Sequence, residues 1–271
     1  MRSRAHRDSP GPFRAEQIHS DDPYELSDGH LIECFPTGGS GSGPNQLGAS
    51  VVGWDPAVNE AGVDTGYSPH SKMLRAPDVA IGNVPGEPGW VPGAPDLAIE
   101  YADVGQDEKK LQQKITDLLA AGTKFLWVVR LVGVRRVEAH EPNKPMRTVL
   151  PGQYLVAEGV LKNPVLVESL YDRSYAERAT LTNLIQRQGY ESLEAVLAEG
   201  RKEGHKEGRK EGREEGRLIE ARSVLRRIVV LRGFTLGAEQ QIRIEACDDL
   251  PTIERWLDQA VVVTTMDEAL Q

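Results

Sequence analysis

Short apolar runs and one helical repeat shape the N-terminal two-thirds of the chain. Four segments carry apolar residues between turn-forming residues, as β-strands do. They are HLIECF, APDVAIGNV, DLAIEYA and KFLWVVRLV. Between the last two, apolar residues recur at helical spacing and predict a helix over residues 105–121, with Asp103 as its cap and Gly122 at its end. The order strand–strand–helix–strand predicts a mixed α/β sheet.

The segments around this unit complete the same domain. RRVEAHEP, RTVL and QYLVAE predict antiparallel edge strands separated by turns. The stretch PTGGSGSGPN at 36–45 predicts a flexible loop, and QLGASVVGW after it predicts a short helix that its glycines weaken. We therefore expect an α/β domain over residues 21–172, preceded by a disordered tail at residues 1–20.

The pattern changes after residue 172, where helical periodicity replaces short strands. Residues 173–271 predict a mainly α-helical region, with breaks at Arg232-Gly233 and near Pro251. Within this region, the charged segment 200–217 repeats with period four and has glycine at every fourth position. Its five glycines cost an isolated helix roughly 4–5 kcal/mol relative to alanine. The segment is therefore either a weak helix or a solvated linker.

Composition narrows the class of protein. No run of 18 apolar residues predicts a membrane span, and no apolar segment follows the basic N-terminus as in a secretory signal. The two cysteines, Cys34 and Cys247, lie far apart and predict neither a disulfide framework nor a zinc site, which fits a cytoplasmic protein. The net charge of −9 argues against a protein that coats nucleic-acid phosphates. It is compatible with an enzyme that contacts a few phosphates through a divalent cation.

Three residues of the α/β part form a candidate site. Asp78 opens one strand, Glu100 lies near the end of the next, and Lys114 follows fourteen residues later on the predicted helix. Strand alternation places Glu100 on the face opposite to Leu97 and Ile99. Helical projection places Lys114 on the flank of the apolar face, from which its amine can reach Glu100.

This set suits phosphodiester hydrolysis. Two carboxylates on adjacent strands can hold a Mg²⁺ ion that keeps water on its remaining positions. The ion polarises a phosphoryl oxygen and lowers the pKa of a bound water molecule. A lysine near that water can orient it or stabilise the charge that develops during the reaction.

Several motifs at consistent spacing resemble those of a nuclease family. They are YELSDGHLIE, RAPDVAIG, APDLAIE and the pattern K-x-x-x-L-x-x-x-G-x-x-x-x-W from Lys114 to Trp127. Over residues 21–172 the chain resembles the Uma-type family of restriction endonucleases, within the PD-(D/E)XK nuclease superfamily. The resemblance implies a restriction-endonuclease-like fold, in which a mixed central sheet is flanked by helices.

The resemblance also implies a site and a reaction. The family's catalytic set corresponds to Asp78, Glu100 and Lys114, with Asp78 and Glu100 as ligands of Mg²⁺ or Mn²⁺. Glu33 is a further candidate for an acidic residue near the metal. The implied activity is metal-dependent DNA endonuclease cleavage, with DNA as a transient partner. The helical C-terminus is expected to mediate homodimerisation or contact with another partner.

The chain also departs from the family pattern. Asp103-Val104-Gly105 replaces an SPS-like turn, Lys110 replaces an acid four residues before the lysine, and the loop at 36–45 has no histidine. These departures support an alternative hypothesis, in which a nuclease fold has lost its activity and serves as an interaction or assembly protein.

Overall fold

The computed structural model describes residues 11–271, which form two compact units, one ending at Leu193 and one spanning Glu194–Gln271. The described strands are β1 (Tyr24–Ser27), β2 (His30–Glu33), β3 (Ala61–Val63), β4 (Val79–Ile81), β5 (Leu97–Ala102), β6 (Phe125–Arg130), β7 (Arg136–His140), β8 (Arg147–Val149), β9 (Tyr154–Leu155) and β10 (Val165–Leu166). The described helices are α1 (Gly39–Gly53), α2 (Glu108–Ala120), α3 (Arg173–Arg187), α4 (Leu193–Leu231), α5 (Ala238–Ala246), α6 (Leu250–Val262) and α7 (Met266–Ala269), with 3₁₀ turns at Ala15–Gln17 and Val167–Leu170. In this part of the chain no helix is long and apolar enough to cross a membrane.

A six-stranded mixed sheet organises the first unit. Its strand order is β3-β4-β5-β6-β7-β8, and β1–β2 and β9–β10 form separate two-stranded hairpins. Only the β5–β6 pair of the six-stranded sheet is parallel. A parallel pair needs a crossover connection, and α2 supplies it. The predicted fold class is therefore confirmed: a mixed central sheet flanked by helices, followed by a mainly helical region.

The two faces of β5 bury different neighbours, as its alternating pattern predicts. Leu97 and Ile99 belong to the larger core, together with Trp127 of β6 and Val52 of α1. Ala98 belongs to a second core with residues of β6 and α2. The α2 residues in this core are Leu111, Ile115 and Leu118. Glu100 shares the face of Ala98, so the sheet directs it towards α2.

Two local predictions are wrong because tertiary contacts outweigh local propensity. The stretch predicted as a flexible loop at 36–45 enters α1, which begins at Gly39. A Cβ atom at Gly48 would overlap the hydroxyl of Tyr101, so glycine permits this helix to lie close to β5. The second error is the cap of α2, where Asp107 accepts from the backbone N–H groups of the next turn at 3.0 and 3.2 Å. Asp103 accepts from the Ser40 hydroxyl instead.

The start of the described chain is also ordered. Residues 1–20 were predicted to form a disordered tail, but Phe13, Ala15 and Ile18 are buried in a small cluster with Leu26. The indole N–H of Trp90 donates to two carbonyls of this segment, at 3.1 and 3.3 Å. Apolar side chains thus fix residues 11–20 against the domain, while the first ten residues of the predicted tail lie outside the described part.

The first unit extends past the predicted boundary at residue 172, because α3 packs on α1. Ala176 is part of the larger core, and the side-chain amide of Asn183 donates to the Val51 carbonyl at 2.8 Å. In the second unit, α4 is a continuous helix of 39 residues that includes the charged segment 200–217. Its C-terminal third packs with α5, α6 and α7. The gaps before α5 and before α6 match the predicted breaks, whereas α7 follows a further break, between Val262 and Met266, that the sequence analysis did not predict.

Candidate active site

Asp78 and Glu100 lie side by side on the face of the sheet that packs against α2. In the antiparallel β4–β5 pair, Val79 is opposite Ile99, so the same register places Asp78 opposite Glu100. Residues opposite each other in a pair of strands point to the same face. The Tyr101 backbone N–H donates to Asp78 Oδ2 at 2.6 Å and holds this carboxyl in place. The strand pairing therefore brings together the two predicted metal ligands.

Lys114 of α2 reaches the same point. Its Nζ lies 2.9 Å from Glu100 Oε1 and 3.0 Å from Oε2, and it donates to the Ala76 carbonyl at 2.7 Å. The Lys114 side chain is only 14 % exposed. All three residues proposed as a catalytic set thus converge, as the helical projection predicts.

Three charged residues that the sequence analysis did not single out support this centre. Glu25 Oε1 lies 3.1 Å from Lys114 Nζ, and Glu25 Oε2 accepts from Arg75 Nη1 at 2.9 Å. Arg75 is 1 % exposed and also donates from Nε and Nη2 to Asp117 Oδ2, at 2.8 and 2.6 Å. Arg75 therefore fixes the hairpin residue Glu25 and the helix residue Asp117 around Lys114. For Glu25 the available signal was a carboxylate beside Leu26 in the strand YELS. Arg75 and Asp117 gave no local signal.

Asp78, Glu100, Lys114, Glu25 and Arg75 line one cavity of about 590 Å³. Its acidic lining residues are Asp22, Glu25, Glu33, Asp64, Asp78 and Glu100, and its basic ones are Arg75, Lys110 and Lys114. Six acids against three bases give the cavity a negative charge. Glu33 thus lies on the wall of this cavity, and Lys110 Nζ is 3.5 Å from its backbone carbonyl.

The sequence of the chain matches a known protein family. Residues 13–166, more than half of its length, match the sequence model of the Uma2 family, described as "Putative restriction endonuclease". The chain belongs to the Uma2 family. This confirms the resemblance on which the candidate site was based. No curated protein matches the chain significantly.

One similar solved structure is a putative nuclease belonging to DUF820 from Anabaena variabilis. It is 18 % identical, with a TM-score of 0.48, and the match covers 56 % of the Uma2 chain and 90 % of the other. Family membership supports a nuclease function and implies DNA as the bound partner.

Burial and charge set the protonation of the Uma2 centre. Burial raises the pKa of Glu100 to about 8, although Lys114 partly opposes the shift. Burial likewise raises the pKa of Asp78. Burial would also raise the pKa of Glu25, but the charges of Lys114 and Arg75 outweigh it and lower this pKa. The pKa of Lys114 is raised, because the surrounding carboxylates outweigh its burial. The centre thus has more carboxyl groups than its cations can neutralise.

One oxygen of the Glu100 carboxyl forms no hydrogen bond. Glu100 Oε1 is buried and has no hydrogen-bond partner, because Lys114 Nζ approaches it without hydrogen-bonding geometry. Among the described residues, no three His, Cys, Asp or Glu side chains form a complete metal cage. Mg²⁺ does not require one, since it is commonly held by one or two carboxylates together with water and substrate phosphates.

Proposed function

We propose that this Uma2 protein is a Mg²⁺-dependent DNA endonuclease in which Asp78, Glu100 and Lys114 form the catalytic set. The observation that carries the proposal is the convergence of the Lys114 amine and two carboxyls from adjacent strands, with Glu100 Oε1 left without a hydrogen bond. Family membership supports the reaction class, and the site geometry supports these particular residues.

Asp78 and Glu100 would hold Mg²⁺ or Mn²⁺, with Glu33 as a further acidic residue at the cavity wall. When bound, the ion would stabilise charge on the phosphoryl group and lower the pKa of a water molecule. The positive charge of the ion would also offset the acidic lining, which would otherwise repel a DNA phosphate.

The chain's own residues position the reacting groups. Lys114 has three N–H donors, and Ala76, Glu25 and Glu100 restrict its amine to one place. These three contacts occupy all three donors, so the amine would donate to the attacking water or to a phosphate oxygen when the Glu100 carboxylate turns to the metal. The Tyr101 backbone N–H fixes the Asp78 carboxyl, so that this carboxyl does not have to reorganise during the reaction. Arg75 takes no part in the chemistry and acts by positioning Glu25.

The test uses supercoiled plasmid and long linear DNA, because one nick at any position relaxes the plasmid and long DNA presents many different sequences. Asp78→Asn, Glu100→Gln and Lys114→Met should each lower Mg²⁺-dependent cleavage by about 100-fold or more. Asp96→Asn is the matched control, since Asp96 is 42 % exposed in a pair with Lys124 and precedes β5 at its other end. Unchanged cleavage in any of the three variants would contradict its assigned role.

Calorimetric titration of Mg²⁺ and Mn²⁺ complements the cleavage assay. We expect binding by the unaltered protein and loss of binding in Glu100→Gln. A folded protein that neither binds metal, alone or with DNA, nor cleaves DNA would favour the alternative hypothesis of an inactive fold with an assembly role.

We further propose that the protein acts as a homodimer, because cleavage of both DNA strands needs two centres. The helical C-terminal region is the expected site of contact.

A further inference from the structure

One stretch of α4, residues 199–213, has no partner within the described chain; we call it the exposed segment. Every residue in it is exposed. A Cβ atom built on Gly200, Gly204, Gly208 or Gly212 would meet nothing within 4 Å. None of its charged side chains forms an ion pair with another described residue, and the nearest such pair on α4 is Arg217–Glu254. The helix is therefore unsupported over about four turns.

The residues of this segment are poor choices for an isolated helix. Glycine is the least favourable residue after proline in a helix interior. The repeat also places like charges four residues apart, where they repel each other. Glutamates stand at 199, 203, 207 and 211, and arginines stand at 201, 209 and 213 with His205 between them. Glutamate and lysine three residues apart, as in Glu203 and Lys206, return only about 0.2–0.5 kcal/mol per pair. The pattern therefore points to a partner that offsets the remaining cost.

The period of four sorts the charges into stripes. Four residues turn the helix by about 400°, so each position recurs about 40° further around the axis. In a frame that follows this drift, the four positions of the repeat lie about a quarter turn apart. Glycine occupies the front stripe, the glutamates occupy one flank and the arginines with His205 occupy the other. Lys202, Lys206 and Lys210 lie on the back.

We propose that the exposed segment pairs in parallel with the same segment of a second copy of this chain, with the glycine stripes facing each other. A two-fold axis along a parallel pair places the acidic flank of each helix opposite the basic flank of its partner, on both sides. An antiparallel pair places acidic flanks opposite acidic flanks and basic flanks opposite basic flanks. The charge pattern therefore selects both the occupant and its direction.

Packing is compatible with this arrangement. Glycines at every fourth position let two backbones approach closely, and ridges formed by residues four apart pack at crossing angles of roughly −40° to −50°. The contact is then short and centred near Gly204 and Gly208. Each stack of like charges gains opposite charges across the pair, which relieves the repulsion within each helix. The pairing does not depend on nuclease activity, so it can fail or hold independently of the proposed function.

Complementary charge reversal tests the proposal in the full-length protein. The first variant, Glu203→Arg/Glu207→Arg/Glu211→Arg, makes both flanks basic. The second, His205→Glu/Arg209→Glu/Arg213→Glu, makes both flanks acidic. By sedimentation velocity, the unaltered chain of 29.8 kDa should sediment as a dimer. Each variant alone should bind itself at least tenfold more weakly, and an equimolar mixture of the two should recover the dimer.

The matched control is Lys202→Glu/Lys206→Glu/Lys210→Glu, which reverses three charges on the back stripe and should leave the dimer intact. Circular dichroism checks that each variant keeps its helix, and recovery in the mixture shows that neither variant is merely misfolded. A monomeric unaltered protein, a variant that binds itself as tightly as the unaltered protein does, or a mixture that stays monomeric would overturn the proposal. So would a control that loses the dimer as completely as the flank variants.

Discussion

Replacement of Arg75 by methionine should destabilise the first unit strongly. The guanidinium of Arg75 is 1 % exposed and bridges Glu25 and Asp117 with contacts of 2.6 to 2.9 Å. Removal of one partner from a buried ion pair costs about 3–5 kcal/mol, because the remaining charge stays buried. Lys114 still pairs with Glu25, and Ser27 still donates to Asp117, so we expect a loss near the lower end, about 3 kcal/mol. A typical domain has only about 5–15 kcal/mol in total.

The loss should depend on pH in a definite direction. Burial would raise the pKa of Glu25, but the charges of Lys114 and Arg75 outweigh it and lower this pKa. A carboxyl with a lowered folded-state pKa stabilises the fold above its unfolded pKa, about 4, and this contribution is lost as pH falls through the folded-state pKa. Loss of Arg75 removes part of that contribution. Arg75→Met should therefore be clearly more harmful at pH 8 than at about pH 4.

Hydrogen exchange with mass spectrometry can measure this loss in the full chain, because peptides from β5 and β6 report the stability of the first unit alone. Arg173→Met is the matched control: its pair with Glu177 at 3.6 Å is exposed, and its loss should stay within about 0.5 kcal/mol. Adding Asp117→Asn to Arg75→Met should recover part of the stability. A loss below about 1 kcal/mol at pH 8, or an equal loss at both pH values, would refute the reasoning.

Two further predictions concern the metal and the packing of α1. Because burial raises the pKa of Glu100 to about 8, a metal ion at this carboxylate must displace a proton at neutral pH. Calorimetry should show an apparent Mg²⁺ affinity that rises about tenfold from pH 6 to pH 7 and levels off above pH 8. The control variant Asp96→Asn should show the same pH profile. An affinity that does not depend on pH would contradict a metal site at Glu100. Gly48→Ala should cost about 1–3 kcal/mol, since the new Cβ atom overlaps the Tyr101 hydroxyl. Gly39→Ala in the same helix meets nothing within 4 Å and should change stability by less than about 0.5 kcal/mol, and equal effects of the two would argue against the close contact.

Local periodicity accounts for the parts of the fold that the sequence predicts. Alternation along DLAIEYA separates Ile99 from Glu100, and the helical repeat of α2 places Lys114 within reach of that carboxyl. Each pattern lies within one strand or one helix, so it can be recognised from the sequence without knowledge of tertiary contacts. The convergence of the three candidate residues follows from these patterns, while their catalytic roles stay a prediction.

Long-range contacts account for what the sequence does not reveal. Arg75 joins Asp117 across 42 residues and Glu25 across 50, and no local pattern relates such positions. Helix α1 illustrates the same limit, because its glycines disfavour a helix until the close approach to Tyr101 compensates. The errors thus fall where tertiary packing, rather than propensity, decides the conformation.

The two buried cations of the centre, Arg75 and Lys114, have different roles in the proposed nuclease site. Arg75 is enclosed by Glu25 and Asp117 and is permanently charged, so it can neutralise the framework but is unsuited to move a proton. Lys114 lines the cavity beside Glu100, where its amine could stabilise negative charge that develops on a bound phosphate. Glu25 contacts both cations, so it links the position of Arg75 to that of the Lys114 amine. Loss of Arg75 should therefore lower activity through the position of Lys114, whereas loss of Lys114 should lower it without unfolding the domain.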